Sequence, residues 1–396
     1  MNKVIIFGGD HYNALGLARV FGKNGIKPYG VLTINPKKEK SSFASKSKYW
    51  EKVWLVHSET EGLNIIKKIF CQEDKKPVII PSSDGAEVII DEHLDELKEF
   101  FIVPGINQTQ GAVVDLMNKT NQIKWAHELG LRTAKSWELL LSDTECVNSI
   151  KSYPCILKPV LSSEGKKADI VKCEDINAAK IAIQNLRNKG YKRILAQEFL
   201  DKEYEVELFG CISQNSKITP YLLSKHVREW PSVAGSVSCH EFIIDKKYKA
   251  EAERILQKIM DYGFNGNIDI ELFVINGLFY LNEVNFRNSG DVYACFRNKL
   301  YYPLIWVLDN IGEDISSMNM QYDNEKFAMN ETTDFRHVIY GKLSVSDWLY
   351  YKKNCGDYAL WFKGDMKPAL LRYKYYIGQA LLRGPLEKVL KAIKRL

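Results

Sequence analysis

The residues whose types and spacing best suit chemistry lie on two neighbouring segments, Ile268-Asp269-Ile270-Glu271-Leu272 and Tyr280-Leu281-Asn282-Glu283-Val284-Asn285-Phe286-Arg287. Asn276-Gly277 between them is a two-residue hairpin signal. On a strand, residues two apart share a face. Asp269 and Glu271 therefore project together, as do Glu283, Asn285 and Arg287, and pairing across the turn brings the carboxylates towards one another. Oxygen-only donors suit Mg²⁺, which is held by a few protein groups together with phosphates and water. The same pattern also reads as a solvated hairpin face of alternating charge.

Lysines supply the complementary chemistry. Lys158 ends the apolar run Tyr153-Pro154-Cys155-Ile156-Leu157, where a strand-held cation suits a phosphate. The loop that follows, Ser162-Ser163-Glu164-Gly165-Lys166-Lys167-Ala168, can lay N–H groups and hydroxyls over phosphate oxygens, or serve as an ordinary hairpin loop. Lys119, on an earlier helix, reads by itself as a surface lysine. Gln197-Glu198-Phe199-Leu200-Asp201-Lys202-Glu203 is an apolar strand reaching a polar kink, flanked by acids that can meet an adenine amine and ribose hydroxyls; the plain reading is an exposed strand edge. The seven histidines are dispersed and read as structural or surface groups, and no Ser–His–Asp or Cys–His set stands out.

The elements that must position these groups come in three blocks. Over the first hundred residues, short β-branched runs alternate with helical patterns: strands at Val4–Phe7, Pro28–Thr33, Val53–Val56, Pro77–Pro81 and Phe101–Val103, helices near 14–25 and 63–70. This alternation predicts a parallel, doubly wound sheet whose C-terminal strand ends face a ligand. One helix is expected from about Thr109 or Gly111 to Leu129, stopped by Gly130. From Cys155 to Asn285, strands alternate with helical stretches at 175–189 and 246–261, which predicts an antiparallel α+β unit. After about residue 315 no clear strand is legible, and the rest reads as mainly helical.

Composition sets outer limits. At 396 residues the chain is long enough for two or three domains, and 45% apolar with 26% charged residues excludes wholesale disorder. No run approaches the length of a transmembrane helix. Val4–Phe7 is too short for a signal peptide, so the expected location is cytoplasmic, where eight Cys without a C-x-x-C pair read as reduced thiols. The net charge of +6 is too mild to imply nucleic acid, although residues 363–396 hold nine Lys/Arg against two acids. There Leu386, Val389, Leu390 and Ile393 recur at helical spacing beside Lys388, Lys391, Lys394 and Arg395. Such a basic helix either docks on its own protein or lies weakly on an anionic membrane surface.

The order of these pieces decides among their readings. Lys119, Lys158, the small-residue loop, Gln-Glu-Phe-Leu with Glu203, and the Glu271/Glu283/Asn285/Arg287 hairpin together resemble the ATP-grasp superfamily over roughly residues 1–310, with its preceding Rossmann-like domain. The likeness is to its carboxylate–amine (or thiol) ligases and to the ATP-binding domains of biotin carboxylase and carbamoyl-phosphate synthetase. Glu271, twelve residues before Glu283-Val284-Asn285-Phe286-Arg287, matches the biotin carboxylase Mg²⁺ spacing, and Lys202–Glu207 looks like the ribose-binding strand of carbamoyl-phosphate synthetase. Phe286 stands where that pattern has Pro, and Asp269 competes with Glu271 for the first metal position.

The resemblance implies a Rossmann-like domain over 1–110, an ATP-grasp domain over 111–315 and an extension over 316–396. It implies that Lys119 and Lys158 hold ATP phosphates, and that the loop with Ser162, Ser163 and Gly165 closes over them. Glu198, Phe199 and Leu200 would meet adenine and Glu203 the ribose, while Glu271, Glu283 and Asn285 would bind two Mg²⁺ (or Mn²⁺) ions. Arg287 would stabilise the transferring phosphoryl group or the acyl intermediate, and Arg228, with Lys225 less selectively, would pair with an acceptor carboxylate. Asp84, at a strand end, is a candidate to orient an amine. The implied activity is ADP-forming ligation of a small-molecule carboxylate to an amine, in surface-polysaccharide or amino-acid-conjugate biosynthesis, with a homodimer compatible. Phosphoryl transfer, bicarbonate activation (with a separate biotin carrier, since no Met-Lys-Met occurs) and a non-catalytic nucleotide-binding scaffold are the alternatives.

Overall fold

The computed structural model describes residues 1–35, 42–160, 169–231, 235–323 and 326–376. The first block contains β1 (Val4–Gly9), α1 (Tyr12–Lys23), β2 (Tyr29–Thr33), β3 (Lys52–Val56), α2 (Glu59–Phe70), β4 (Val78–Pro81), α3 (Asp84–Glu92), α4 (Leu94–Leu97) and β5 (Gly105–Ile106). β3, β2, β1 and β4 form a fully parallel sheet in that order. Strand parity distributes its core: Val4 and Ile6 face the main hydrophobic cluster, whereas Ile5 and Phe7 pack with Ile66, Phe70 and Ile90 on the other side. Each fully buried Ile or Phe contributes about 1.5–3 kcal/mol. Of the expected strand at 101–103, only a bridge between Val78 and Ile102 forms.

The second block contains α5 (Ala112–Met117), α6 (Lys119–Glu128), β6 (Ser136–Leu140), β7 (Cys155–Pro159), β8 (Val171–Cys173), α7 (Ile176–Asn188) and β9 (Arg193–Glu198). The single helix expected up to Leu129 is therefore two. Asn118 turns extended (φ −74°, ψ 119°), and its side chain accepts the N–H groups of Thr120 and Asn121, which starts a new helix at Lys119. β6, β9, β7 and β8 make a small antiparallel sheet with α7 packed against it.

The third block contains β10 (Tyr204–Ile212), β11 (Tyr221–Trp230), β12 (Ser236–Phe242), α8 (Lys246–Asp261), β13 (Phe264–Ile275), β14 (Leu278–Asn285), α9 (Cys295–Asn298), α10 (Tyr302–Asn310), β15 (Phe327–Met329), α11 (Glu331–Ile339), α12 (Val345–Asn354) and β16 (Cys355–Tyr358). The main sheet runs β14-β13-β10-β11-β12-β15-β16, with β5 also paired to β13. Asn276 and Gly277 take φ of 52° and 66°, as a tight hairpin turn requires. β15 and β16 correct the expectation of a strandless C-terminal region: at three and four residues they are too short to display a period, and the sheet edge recruits them.

This last region clasps the first block. Arg19 of α1, 1% exposed, donates to Asp365 Oδ2 at 2.9 Å and to the carbonyls of Ala359, Leu360 and Asp365. Glu331 accepts the N–H groups of Leu360 and Trp361 and the Tyr373 hydroxyl. Among the described residues no helix is long and apolar enough to cross a membrane. The basic segment from Leu386 to Arg395 lies outside the described residues.

Candidate active site

The hairpin register sets the first wall of the site. Glu271 faces Glu283 across β13 and β14, and Asp269 faces Asn285. A bulge follows Glu271, so that Asn282 is the extra residue, and its amide donates to Glu271 Oε2 at 3.0 Å. Burial, reinforced by Glu283 and Asp269, pushes the Glu271 carboxyl up to about 6.

α6 brings the first lysine to that wall through its backbone pairing. Gln122 bonds both backbone groups of Val284, its Nε2 donating to the carbonyl and its Oε1 accepting the N–H, each at 2.8 Å. Lys119, one turn earlier on the same helix face, thereby meets Glu283 Oε1 at 2.5 Å. Lys158, from the small sheet, donates to Gln197 Oε1 at 2.8 Å. Burial, together with the Lys119 ammonium, draws Lys158 down to about 8, against the pull of Glu283 and Glu271. Two cations from separate elements thus stand over one pair of carboxylates. The chain crosses between the two sheets at Phe199–Glu203: the Phe199 N–H donates to Pro154 and the Glu203 N–H to Val274, which fixes both ends of the crossing.

Beside this wall opens a cavity of about 540 Å³, walled by the end of β1 and the start of α1, the turn between β4 and α3, and β10, β11, β12 and β13. Arg287 stands on it, its Nε on Asp84 Oδ1 and its Nη1 on Asp269 Oδ2, both at 2.8 Å. Asp84 caps the parallel sheet, so this arginine spans the two main blocks. Next to it Asn288 Nδ2 donates to Asn13 Oδ1, and Asn13 Nδ2 donates to the Ser82 and Asn288 backbone carbonyls. His11 caps α1 at the cavity edge, its Nδ1 accepting the Asn13 N–H.

On the cavity's other side, His226 has Nδ1 3.0 Å from Glu229 Oε1 and 3.5 Å from Glu205 Oε2, with Nε2 3.7 Å from Glu207 Oε2. Burial opposes its charge, yet the carboxylates of Glu207 and Glu229 prevail and raise it to about 10.

The residues singled out from the sequence therefore fall into three groups. Lys119, Lys158, Glu271, Glu283, Asn285 and Arg287 sit on or over one continuous face, and Glu198, Phe199, Leu200 and Glu203 occupy the crossing beside it. Ser162, Ser163 and Gly165 lie outside the described residues. Arg228 and Lys225 are not among the residues lining the cavity. Arg228 closes its fork on Asp334, Nε and Nη2 each at 2.9 Å, with its plane 4.1 Å from the Tyr351 ring centroid. Lys225 pairs in register with Val206, on the sheet face opposite Glu207, and lies over Tyr204 at 4.5 Å. Strand parity sends its neighbour His226 to the cavity instead. The sequence reading missed His226, Glu205, Glu207 and Asp291; the alternation Glu203/Glu205/Glu207 was the available signal for the two glutamates.

The donor set fits a hard divalent cation. Glu271 and Glu283 are opposed in register with Asn285 one step along, all oxygen donors on one face, and Lys119 already answers part of that negative charge. Mg²⁺ bound there would neutralise phosphate charge and orient phosphoryl oxygens.

Residues 124–294 match the ATP-grasp domain family. Formate-dependent phosphoribosylglycinamide formyltransferase of Methanococcus maripaludis is 29% identical over 229 residues, 54% of this chain and 55% of that protein. The chain thus spans about half the length of the curated relatives it matches. Among solved structures, the N5-carboxyaminoimidazole synthase of Aspergillus clavatus in complex with ADP and an aminoimidazole ribonucleotide superposes with a TM-score of 0.64 at 13% identity, over 82% of this chain and 81% of that one. An L-amino acid ligase from Bacillus licheniformis gives 0.61 at 15% identity, over 82% and 78%. With the lysines of α6 and β7 over the β13–β14 carboxylates, the chain carries an ATP-grasp domain.

Proposed function

We propose that the protein is an ATP-dependent ligase that joins a small-molecule carboxylate to an amine, releasing ADP and phosphate. The observation that carries this reading is the convergence of Lys119 and Lys158 on the Glu271–Glu283 pair, beside a cavity large enough for a second substrate. Lys119 and Lys158 would hold ATP phosphates against the metal-binding oxygens of Glu271, Glu283 and Asn285, and Glu198–Glu203 would take adenine and ribose. The acceptor carboxylate oxygen attacks the γ-phosphorus as the bond to ADP breaks, giving an acylphosphate. The amine then attacks the acyl carbon and phosphate leaves. Arg287, fixed by Asp84 and Asp269, holds its charge beside the reacting oxygens without having to reorganise. With the Arg228 fork engaged by Asp334, the acceptor site is the cavity around Asp84 and His11.

The relatives' names, formate-dependent in one case and carboxyaminoimidazole-forming in another, favour a one-carbon acid such as formate or bicarbonate as the second reading. The domain limits 1–110, 111–315 and 316–396, a cytoplasmic location and a place in surface-polysaccharide or amino-acid-conjugate synthesis belong to the same proposal. A screen of carboxylate and amine pairs, read as ADP formation, tests it. Amine-dependent ADP release supports ligation. ADP release with bicarbonate and no amine supports the second reading, and nucleotide binding without turnover under any pair leaves a scaffold.

A further inference from the structure

A second set of ligand-type atoms lies in the main sheet next to the Glu271–Glu283 wall, where Glu207 pairs in register with Glu271. Glu207 of β10, His240 of β12 and Asp291, beyond the end of β14, are 5%, 0% and 6% exposed. One ligand atom from each lies within 4.8 Å of the others. Glu207 Oε2, His240 Nε2 and Asp291 Oδ1 are all buried without a hydrogen-bond partner. Their neighbouring atoms, by contrast, are held: Ser289 Oγ donates to Glu207 Oε1 at 2.9 Å, and His240 Nδ1 meets Ser224 Oγ at 3.0 Å. His240 Nε2 and Asp291 Oδ1 are 3.2 Å apart but lack hydrogen-bond alignment.

Buried polar atoms are nearly always paired. Three orphaned atoms converging from three elements, two of their side chains steadied from behind by a serine hydroxyl, form a ligand set for a cation. Two ligands at about 2.1 Å from one ion stand roughly 3.0–3.4 Å apart, which the imidazole and Asp291 already approach. The serine contacts fix the ring and one carboxylate as outer-shell partners of bound metals do.

We propose that Glu207, His240 and Asp291 bind a divalent transition ion such as Zn²⁺ or Mn²⁺, through a ligand set distinct from the oxygen-only Mg²⁺ wall that adjoins it. An imidazole among the donors selects such ions over Mg²⁺. Glu207 and Asp291 also line the open cavity, which gives the ion its way in. His226 Nε2, also without a hydrogen-bond partner and 3.7 Å from Glu207 Oε2, stands on the approach. The ion would fix the cavity floor in one shape, and it is independent of the ligase reading.

The test uses chelator-stripped full-length protein without nucleotide, titrated with Zn²⁺ or Mn²⁺ in excess Mg²⁺, with retained metal counted after desalting. Wild type and Glu283→Gln should each keep one ion per chain. The near-isosteric Asp291→Asn should bind at least about tenfold more weakly, as should His240→Gln. Should His240→Gln fail to fold, the Co²⁺-loaded wild type still reports on the site: visible bands of a nitrogen–oxygen shell are expected, and they should vanish in Asp291→Asn. A wild type that retains no ion overturns the proposal. So does an ion lost in Glu283→Gln but kept in Asp291→Asn, because that ion belongs to the Mg²⁺ wall.

Discussion

The C-terminal clasp and the central cleft both bury charge, and they treat it in opposite ways. In the clasp every charged group named above is answered from within: Arg19 by Asp365 and three carbonyls, Arg228 by Asp334, Glu331 by two N–H groups and a tyrosine. In the cleft, Glu207, His226, His240, Asp269 and Asp291 each keep a buried atom without a partner. Pairing stabilises only when it is complete, since an unmatched buried polar atom costs about 1–3 kcal/mol. The clasp is therefore architecture, and the cleft carries strain that a ligand relieves.

Substitutions should separate these roles. The largest effect is expected from Glu283→Gln, which keeps shape but removes one of the charges facing Lys119: turnover should fall by about 10³-fold or more while thermal stability stays near wild type. Wild-type turnover in that variant would sink the metal-wall assignment. Arg19→Met should do the reverse. Leaving the buried Asp365 charge without its cation, with only Ser47 Oγ and the Lys48 N–H to answer it, should lower unfolding free energy by about 3 kcal/mol, measured by denaturant titration, with ATP affinity unchanged in the folded fraction. Lost nucleotide affinity without lost stability would erase the distinction between the regions.

Lys158→Ala should weaken ATP binding by about 10- to 100-fold, the loss of one charge-assisted contact. Because burial holds this ammonium at about 8, wild-type ATP affinity should decline as pH rises through that value, and the alanine variant should lose that step. A calorimetric pH series that is identical for both proteins would move the phosphate site elsewhere. The smallest effect belongs to Arg228→Lys, which exchanges a planar fork for a point charge against Asp334: about 1 kcal/mol of stability, with no change in the KM of the carboxylate substrate. A raised KM at unchanged stability would return Arg228 to the acceptor site.

What the sequence made legible was local. β1, β2 and β4 announce themselves by short apolar runs between turns, and the β13–β14 hairpin by Asn276-Gly277. The facing of Glu271 with Glu283 was not legible in the same way: a regular hairpin on that turn sets Glu271 opposite Asn282, and the bulge moves it by one. What stayed hidden depends on contacts far apart in the chain. Asp334 lies 106 residues from Arg228, and nothing near Arg228 signals that its fork is engaged. Lys225 and His226 exchange places because a one-residue parity choice decides which faces the cavity, and the strand's register was not readable from its own composition. Histidines that look dispersed in sequence converge because β11 and β12 pair His226 with His240.

The Gln122 contact with Val284 has a consequence for how this molecule lives in a crowded solution. β14 is the outer strand of the main sheet, and an uncovered outer strand invites another chain to zip onto it. Here one amide side chain imitates a neighbouring strand, satisfying both the N–H and the carbonyl of Val284, while Arg132 accepts the N–H of Leu281 a few residues away. The helix that delivers Lys119 thus also serves as a selvedge, closing the sheet against self-association at the margin where its functional carboxylates stand.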